Sequence, residues 1–313
     1  MDVGVSYGDP CREPSITAYE PNRFGYTKQS NDVGFVDLTL SIKAQLFRAL
    51  CRHFNGESQL YLTFTGRFGF YAGTRHSSPV IGKNYTPKLL WRIIPETEST
   101  TKSTTVDRKA VSEYTEYFDF AYAHDSNGQT IDSQELYDIE LNRQAASPHG
   151  NPDYAKDYIS RGWDYLQFTF KQTFNEAPLK TSRLSIYPDF KFFLRHGLIQ
   201  GVPEEYHSFE EDSQLRPRHA FDGLSAVVEC FPYGSEISDN PERTPWRATV
   251  RVAITYLTGY DPIARFNTFR GEFGFSAWGL PLNVWVQDGY MNSLARYYTK
   301  TSSIGVELRF AEF

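Results

Sequence analysis

The chain has 313 residues with 38 acidic against 32 basic side chains, and the resulting net charge of −6 argues against a nucleic-acid partner. No stretch of about 18 apolar residues occurs, which excludes a transmembrane helix. The first 20 or so residues lack the charged start, apolar centre and cleavage site of a signal peptide, so an exported form would begin here as a mature chain with an added Met1.

Residues 1–22 read as a short N-terminal extension and 23–313 as one domain, because nothing along the chain resembles a linker between two cores. From there almost every ordered-looking segment alternates with a period of two. Val36, Leu38, Leu40, Ile42, Ala44 and Leu46 oppose Asp37, Thr39, Ser41, Lys43 and Gln45. Leu60, Leu62, Phe64, Phe68 and Phe70 oppose Thr63, Thr65 and Arg67, and Tyr85 shares the apolar parity of Leu89, Trp91 and Ile93. The polar run at 96–105 reads as a loop. In the next strand Tyr114, Phe118, Phe120 and Tyr122 lie on one face with His124 and Ser126, just before Asn127-Gly128; Glu113, Thr115, Tyr117, Asp119 and Ala121 lie on the other. A long loop, 127–159, leads to a strand whose apolar face carries Leu166, Phe168 and Phe170 together with Asp164, Gly162 and Ser160. Leu184 to Leu194, Trp246 to Tyr256 and Ile304 to Phe310 alternate in the same way. With three cysteines at least one is unpaired, and Cys11 and Cys51 are able to bridge only in an oxidising compartment.

These segments run roughly 10–14 residues, longer than the ~5–6 of a soluble strand and close to the ~9–11 that a tilted strand needs to cross a bilayer. A soluble lipid-binding barrel would turn the apolar face inward; a membrane barrel turns it outward to lipid. The length and even number of strands, aromatics near strand ends, a terminal Phe313 on an alternating strand, and a mean hydropathy of −0.50 despite 16% aromatic residues favour the membrane form. The expectation is an all-β, transmembrane antiparallel β-barrel of about twelve strands. With both termini at the periplasmic side, the strand at 114–126 is the fifth and ends at the outer rim, and the strand at 160–174 returns from it. His124, Ser126, Ser160 and Asp164 then share the outer rim with the loop that holds Ser77.

A serine, a histidine and a carboxylate on the apolar faces of successive strands are the parts of a hydrolytic triad. An unpaired carboxylate against hydrocarbon costs several kcal/mol, so Asp164 requires a partner, which His124 supplies. Each component also has an ordinary reading: a girdle histidine, turn chemistry at Asn127-Gly128, a plain loop at Ser77-Ser78-Pro79. From the residues alone an ester hydrolase and a non-enzymatic porin or adhesin both stand.

The motifs His124-Asp125-Ser126-Asn127-Gly128 and Ser160-Arg161-Gly162-Trp163-Asp164, with Ser77-Ser78-Pro79 and Asn84-Tyr85 in the same order, resemble the outer-membrane phospholipase A family. The resemblance runs from about Tyr26 to Phe313 and is carried chiefly by the segments around Tyr85 and up to Gly128. It implies a twelve-stranded outer-membrane barrel that hydrolyses phospholipid acyl esters at a site facing the outer leaflet. Ser126 would be the nucleophile, His124 the general base, Asp164 the orienting third member where the family has asparagine, and Gly128 an oxyanion donor. Tyr85 matches a substrate-pocket position. Calcium would be held by the Ser160 hydroxyl, the Gln129 carbonyl (where the family has arginine) and Ser77 of the partner subunit, in a homodimer that is the active form. Ile131 stands where the family has an acidic residue, with Asp132 beside it, and Gly66 and Thr65 stand where it has a dimer-bonding glutamine. The long loop 127–159 is expected to provide a lid or extra contacts.

Overall fold

Alternation of this length leaves each strand with one apolar and one polar face, and closure of the sheet gives both faces a solvent while removing the open edges. The computed structural model describes residues 16–30, 34–46, 58–71, 80–95, 100–102, 111–176, 183–210, 216–233, 249–277 and 280–310. Cys11, Cys51, Ser77, Trp246, Ala248 and Phe313 lie outside them. In chain order the strands are β1 (Ile16–Thr17), β2 (Asn22–Gln29), β3 (Phe35–Leu46), β4 (Ser58–Phe70), β5 (Ile81–Ile93), β6 (Thr100–Lys102) and β7 (Val111–Ser126). After helix α1 (Gln134–Ala146) and a 3-10 helix (Pro152–Tyr158) follow β8 (Gly162–Glu176), β9 (Arg183–Phe193), β10 (Gly223–Tyr233), β11 (Thr249–Gly259), β12 (Thr268–Ala277), β13 (Leu280–Gly289) and β14 (Thr301–Phe310).

Strands β2 to β5 and β7 to β14 pair antiparallel with their neighbours, and β14 pairs with β2, closing a twelve-stranded barrel. β1 and β6 are short additions paired to β3 and β7. The apolar faces point outward: Ile42 is 48% exposed while its neighbour Ser41 is fully buried. The interior is filled by ion pairs, among them Arg67–Asp37 at 2.5 Å, Arg92–Asp119 at 2.7 Å, and Glu272 bridging Arg251 and Arg270 at 2.7 Å each. This is the inverted arrangement of a membrane barrel, with charge inside and hydrocarbon-compatible side chains outside.

At one end of the barrel the connections fold together into a cap. Trp163 and Tyr165 of β8 pack with Phe221, Leu294, Tyr297 and Tyr298, so the turn after β13 fills the mouth. A second cluster joins Phe35, Tyr71, Ile131, Tyr158, Ile159 and Phe209. Across this cap Arg161, wholly buried, pairs with Glu210 at 2.5 Å.

Two features differ from the sequence reading. The 127–159 loop contains α1, which carries no apolar stripe. Its surface is held instead by pairs one turn apart, Arg143 with Glu140 at 2.6 Å and Gln134 with Asp138 at 2.8 Å, so no hydrophobic periodicity announces it. A bulge in β7 between Thr115 and Tyr117 shifts the register against β8, which lets Glu116 reach Lys171 and Thr173 in place of a strict alternation.

Candidate active site

Beyond the bulge β7 alternates strictly. Asp125 turns inward, where it accepts from Thr86 at 2.7 Å, Tyr165 at 3.2 Å and Arg218 at 2.6 Å. His124 and Ser126 therefore turn outward, and the register opposes His124 to Asp164 and Ser126 to both Gly162 and Tyr85. The His124 Nδ1 lies 2.7 Å from Asp164 Oδ1, with both residues buried although they are on the outer wall. That contact orients the ring so that Nε2 is the nitrogen left for a substrate-side partner, and Ser126 follows two residues later on the same face.

The burial of Asp164 has a specific cause. The chain leaving β9 folds back over the outside of the wall, and the backbone N–H groups of Ile199 and Gln200 donate to Asp164 Oδ2 at 2.8 and 3.0 Å. The Tyr122 hydroxyl donates to the same oxygen at 2.6 Å and accepts from the Leu198 N–H at 2.6 Å. Tyr122 and this loop were not among the sequence candidates. Tyr122 carried a signal, since it shares the face of His124; the backbone donors carried none.

Gly128 has φ +54°, and a Cβ there would lie 2.9 Å from the Tyr85 ring, so only glycine fits without strain. Tyr85 thus abuts the turn that follows the serine, and it packs against Phe64 and Phe68 on the outer face. Asn127 is not free for chemistry: its Oδ1 accepts from the Arg161 N–H at 2.9 Å and its Nδ2 donates to the Ile159 carbonyl at 2.7 Å. Those bonds, with Ser160 N–H to Ile131 carbonyl at 2.8 Å, tie the two ends of the long loop together. Ile131 is 3% exposed in an apolar cluster.

The Ser160 hydroxyl donates to Glu204 at 2.8 Å, a carboxylate that sequence reasoning missed because 44 residues separate the two. Among the described residues no group of three or more His, Cys, Asp or Glu side chains converges on one point. Directly behind the outer site, Asp222 bonds to Arg218 at 2.7 Å and to Lys191 at 3.2 Å. Burial alone would raise the Asp222 carboxyl, but Lys191 and Arg218 outweigh it and hold it below the usual carboxylate range.

No family model and no curated protein matches this sequence. Among solved structures the chain is similar to outer membrane phospholipase A from Escherichia coli, with 14% identity, a TM-score of 0.58, and 94% of this chain and 93% of that chain covered. It is similar also to the Salmonella typhi outer membrane phospholipase dimer with bound calcium, at 14% identity and a TM-score of 0.59, covering 96% and 93%. An active-site mutant of the Escherichia coli protein at pH 6.1 gives 15% identity and a TM-score of 0.60, covering 96% and 95%. At this identity the likeness establishes the barrel fold.

Proposed function

We propose that this chain is an outer-membrane phospholipase that hydrolyses acyl esters of membrane lipids with Ser126 as nucleophile. The observation that carries the reading is the His124–Asp164 pair, 2.7 Å apart and buried on the lipid-facing wall beside Ser126. A purely structural barrel has no need of a carboxylate there, where its charge has to be matched by local donors.

In this reading the acyl carbonyl of a lipid in the outer leaflet lies over the turn at Gly128, against Tyr85. Ser126 Oγ adds to the carbonyl carbon while His124 Nε2 takes its proton, and Asp164 stabilises the imidazolium through Nδ1. The Gly128 N–H is the donor for the developing oxyanion. Collapse breaks the ester C–O bond, and His124 returns the proton to the departing alcohol oxygen. Water, deprotonated by His124, then releases the fatty acid from Ser126.

Calcium fits the donor set on chemical grounds. The Ser160 hydroxyl, the Glu204 carboxylate and the Gln129 carbonyl are hard oxygen donors of the kind that ion accepts in an adaptable shell. When bound, it would add positive charge near the oxyanion. A contribution of Ser77 from the partner subunit, and a homodimer as the active form, belong to the same proposal.

The rival, a porin or adhesin, gives the Asp164 environment no role. Ser126→Ala tests the choice: the variant should fold, shown by unchanged heat-modifiable mobility, and fatty-acid release from phospholipid micelles should fall at least ~1000-fold. Release within a few-fold of wild type would remove Ser126 from the chemistry and restore the rival.

A further inference from the structure

The segment 197–201 (Gly-Leu-Ile-Gln-Gly) forms a closed ring. The Gly197 N–H donates to the Gly201 carbonyl at 2.7 Å, and Gly201 adopts φ +73°. Two glycines permit its approach to the wall. A Cβ at Gly197 would overlap the Asp164 carboxylate, and one at Gly162 would overlap the Gln200 amide. The inner side of the ring consists of N–H groups: Ile199 and Gln200 to Asp164, Leu198 to Tyr122. Two successive N–H groups on one oxygen make a small anion nest.

The outer side of the ring is apolar. Leu198 is 88% exposed, Ile199 60% and the adjoining Val202 65%. Because Asp164 and Tyr122 both point out of the barrel, a ring bonded to them lies on the lipid-facing surface rather than over the lumen. It continues an apolar belt that includes Leu166, two residues from Asp164 and 48% exposed, and Phe192, opposite Leu166 in the β8–β9 register and 49% exposed.

We propose that the 197–201 ring is a lipid-contact element: Leu198 and Ile199 enter the hydrocarbon beside the wall while the backbone of the ring positions the Asp164 carboxylate. The occupant of the apolar surface is acyl-chain hydrocarbon of the membrane, since the ring is continuous with the belt that lipid already covers. Contact with lipid and orientation of the third triad member are then one event, because Leu198 and Ile199 carry both the exposed side chains and the inward N–H groups. The second half of the proposal rests on the hydrolase reading; the first does not.

The test is Leu198→Trp, with Ile199→Trp as a second variant, each folded into vesicles of phosphatidylcholine and of phosphatidylcholine brominated in the upper acyl chain. The added emission, taken as the difference from wild type, should shift to the blue and be quenched at least ~2-fold by bromine, as for an indole in hydrocarbon. Water-like, unquenched emission from both variants would overturn the proposal. Quenching that disappears on cross-linking into dimers would assign the surface to a second copy and overturn it as well. For the positioning half, Gly197→Ala should abolish the downfield proton resonance of the His124 Nδ1–H, and an unaltered resonance would sink that half. Quenching in a protein whose wild type releases no fatty acid would leave the lipid contact standing and the hydrolase reading refuted.

Discussion

At Asp164 the two carboxylate oxygens have different work. Oδ1 faces His124, whereas Oδ2 accepts from Tyr122, Ile199 and Gln200. An asparagine offers one oxygen and one NH2. If the oxygen is given to His124, the amide nitrogen meets N–H donors; if it is given to the ring, the imidazole loses its acceptor. Asp164→Asn should therefore lower kcat on phospholipid by about 10–100-fold and Asp164→Ala by more, an unmatched buried donor costing ~1–3 kcal/mol. Wild-type turnover in both variants would mean that Asp164 is not the third member. Ser126 itself makes few demands on packing, which is why its replacement isolates chemistry from folding.

The elements that hold this site are the rim connections more than the strands. Arg218, 1% exposed, stacks over Trp163 with its guanidinium 4.8 Å from the ring and pairs with Asp125 and Asp222. Asp222→Ala would leave much of that cation unmatched, and breaking a buried pair in this way costs ~3–5 kcal/mol. The Trp163 fluorescence transition should fall accordingly in temperature. The same group sets a pH response. Its folded-state carboxyl is depressed, so the stability it contributes is complete above the ordinary carboxylate value of ~3.9 and is lost as pH falls through the lower folded-state value. The cap should thus weaken progressively as pH falls below ~3.9 in the wild type and less so in Asp222→Ala, and equal acid sensitivity of the Trp163 signal in the two would refute the assignment.

On the scale of the whole molecule, the barrel is a wall with the candidate site outside and a charged packing inside. A polar cavity of about 410 Å³ remains in the interior, lined by Arg23, Asp37, Arg67, Lys88, Asp125 and Arg218 among others. Because the turn after β13 packs into the mouth, the lipid substrate proposed above would reach His124 and Ser126 from the membrane side. If calcium joins two such walls through Ser160, excess chelator should abolish fatty-acid release and shift the protein toward monomer in detergent. Ser160→Ala and Glu204→Gln should raise the calcium concentration needed for half-activity by ~10-fold or more, without an equal loss at saturation. Release that persists in chelator would eliminate the metal from the proposal.

The strands were legible in the sequence because a period of two is a local property: each residue's face follows from its neighbours, and closure follows from the length and number of strands. Ser41 inward and Ile42 outward could be assigned from parity alone, and so could the outward placement of His124, Ser126 and Asp164. The bulge between Thr115 and Tyr117 escaped that reading because one extra residue keeps the alternation on either side but inverts its parity, so Thr115 does not share the face of Tyr117 as the pattern implied. Helix α1 escaped because it buries little and has no apolar stripe. What only the tertiary structure decided is the company each site residue keeps. Glu204 reaches Ser160, and the N–H groups of 199 and 200 reach Asp164, across 35 to 44 residues of chain. Backbone donors have no side-chain signature, and contacts of that separation depend on how a loop folds back, which no local periodicity encodes.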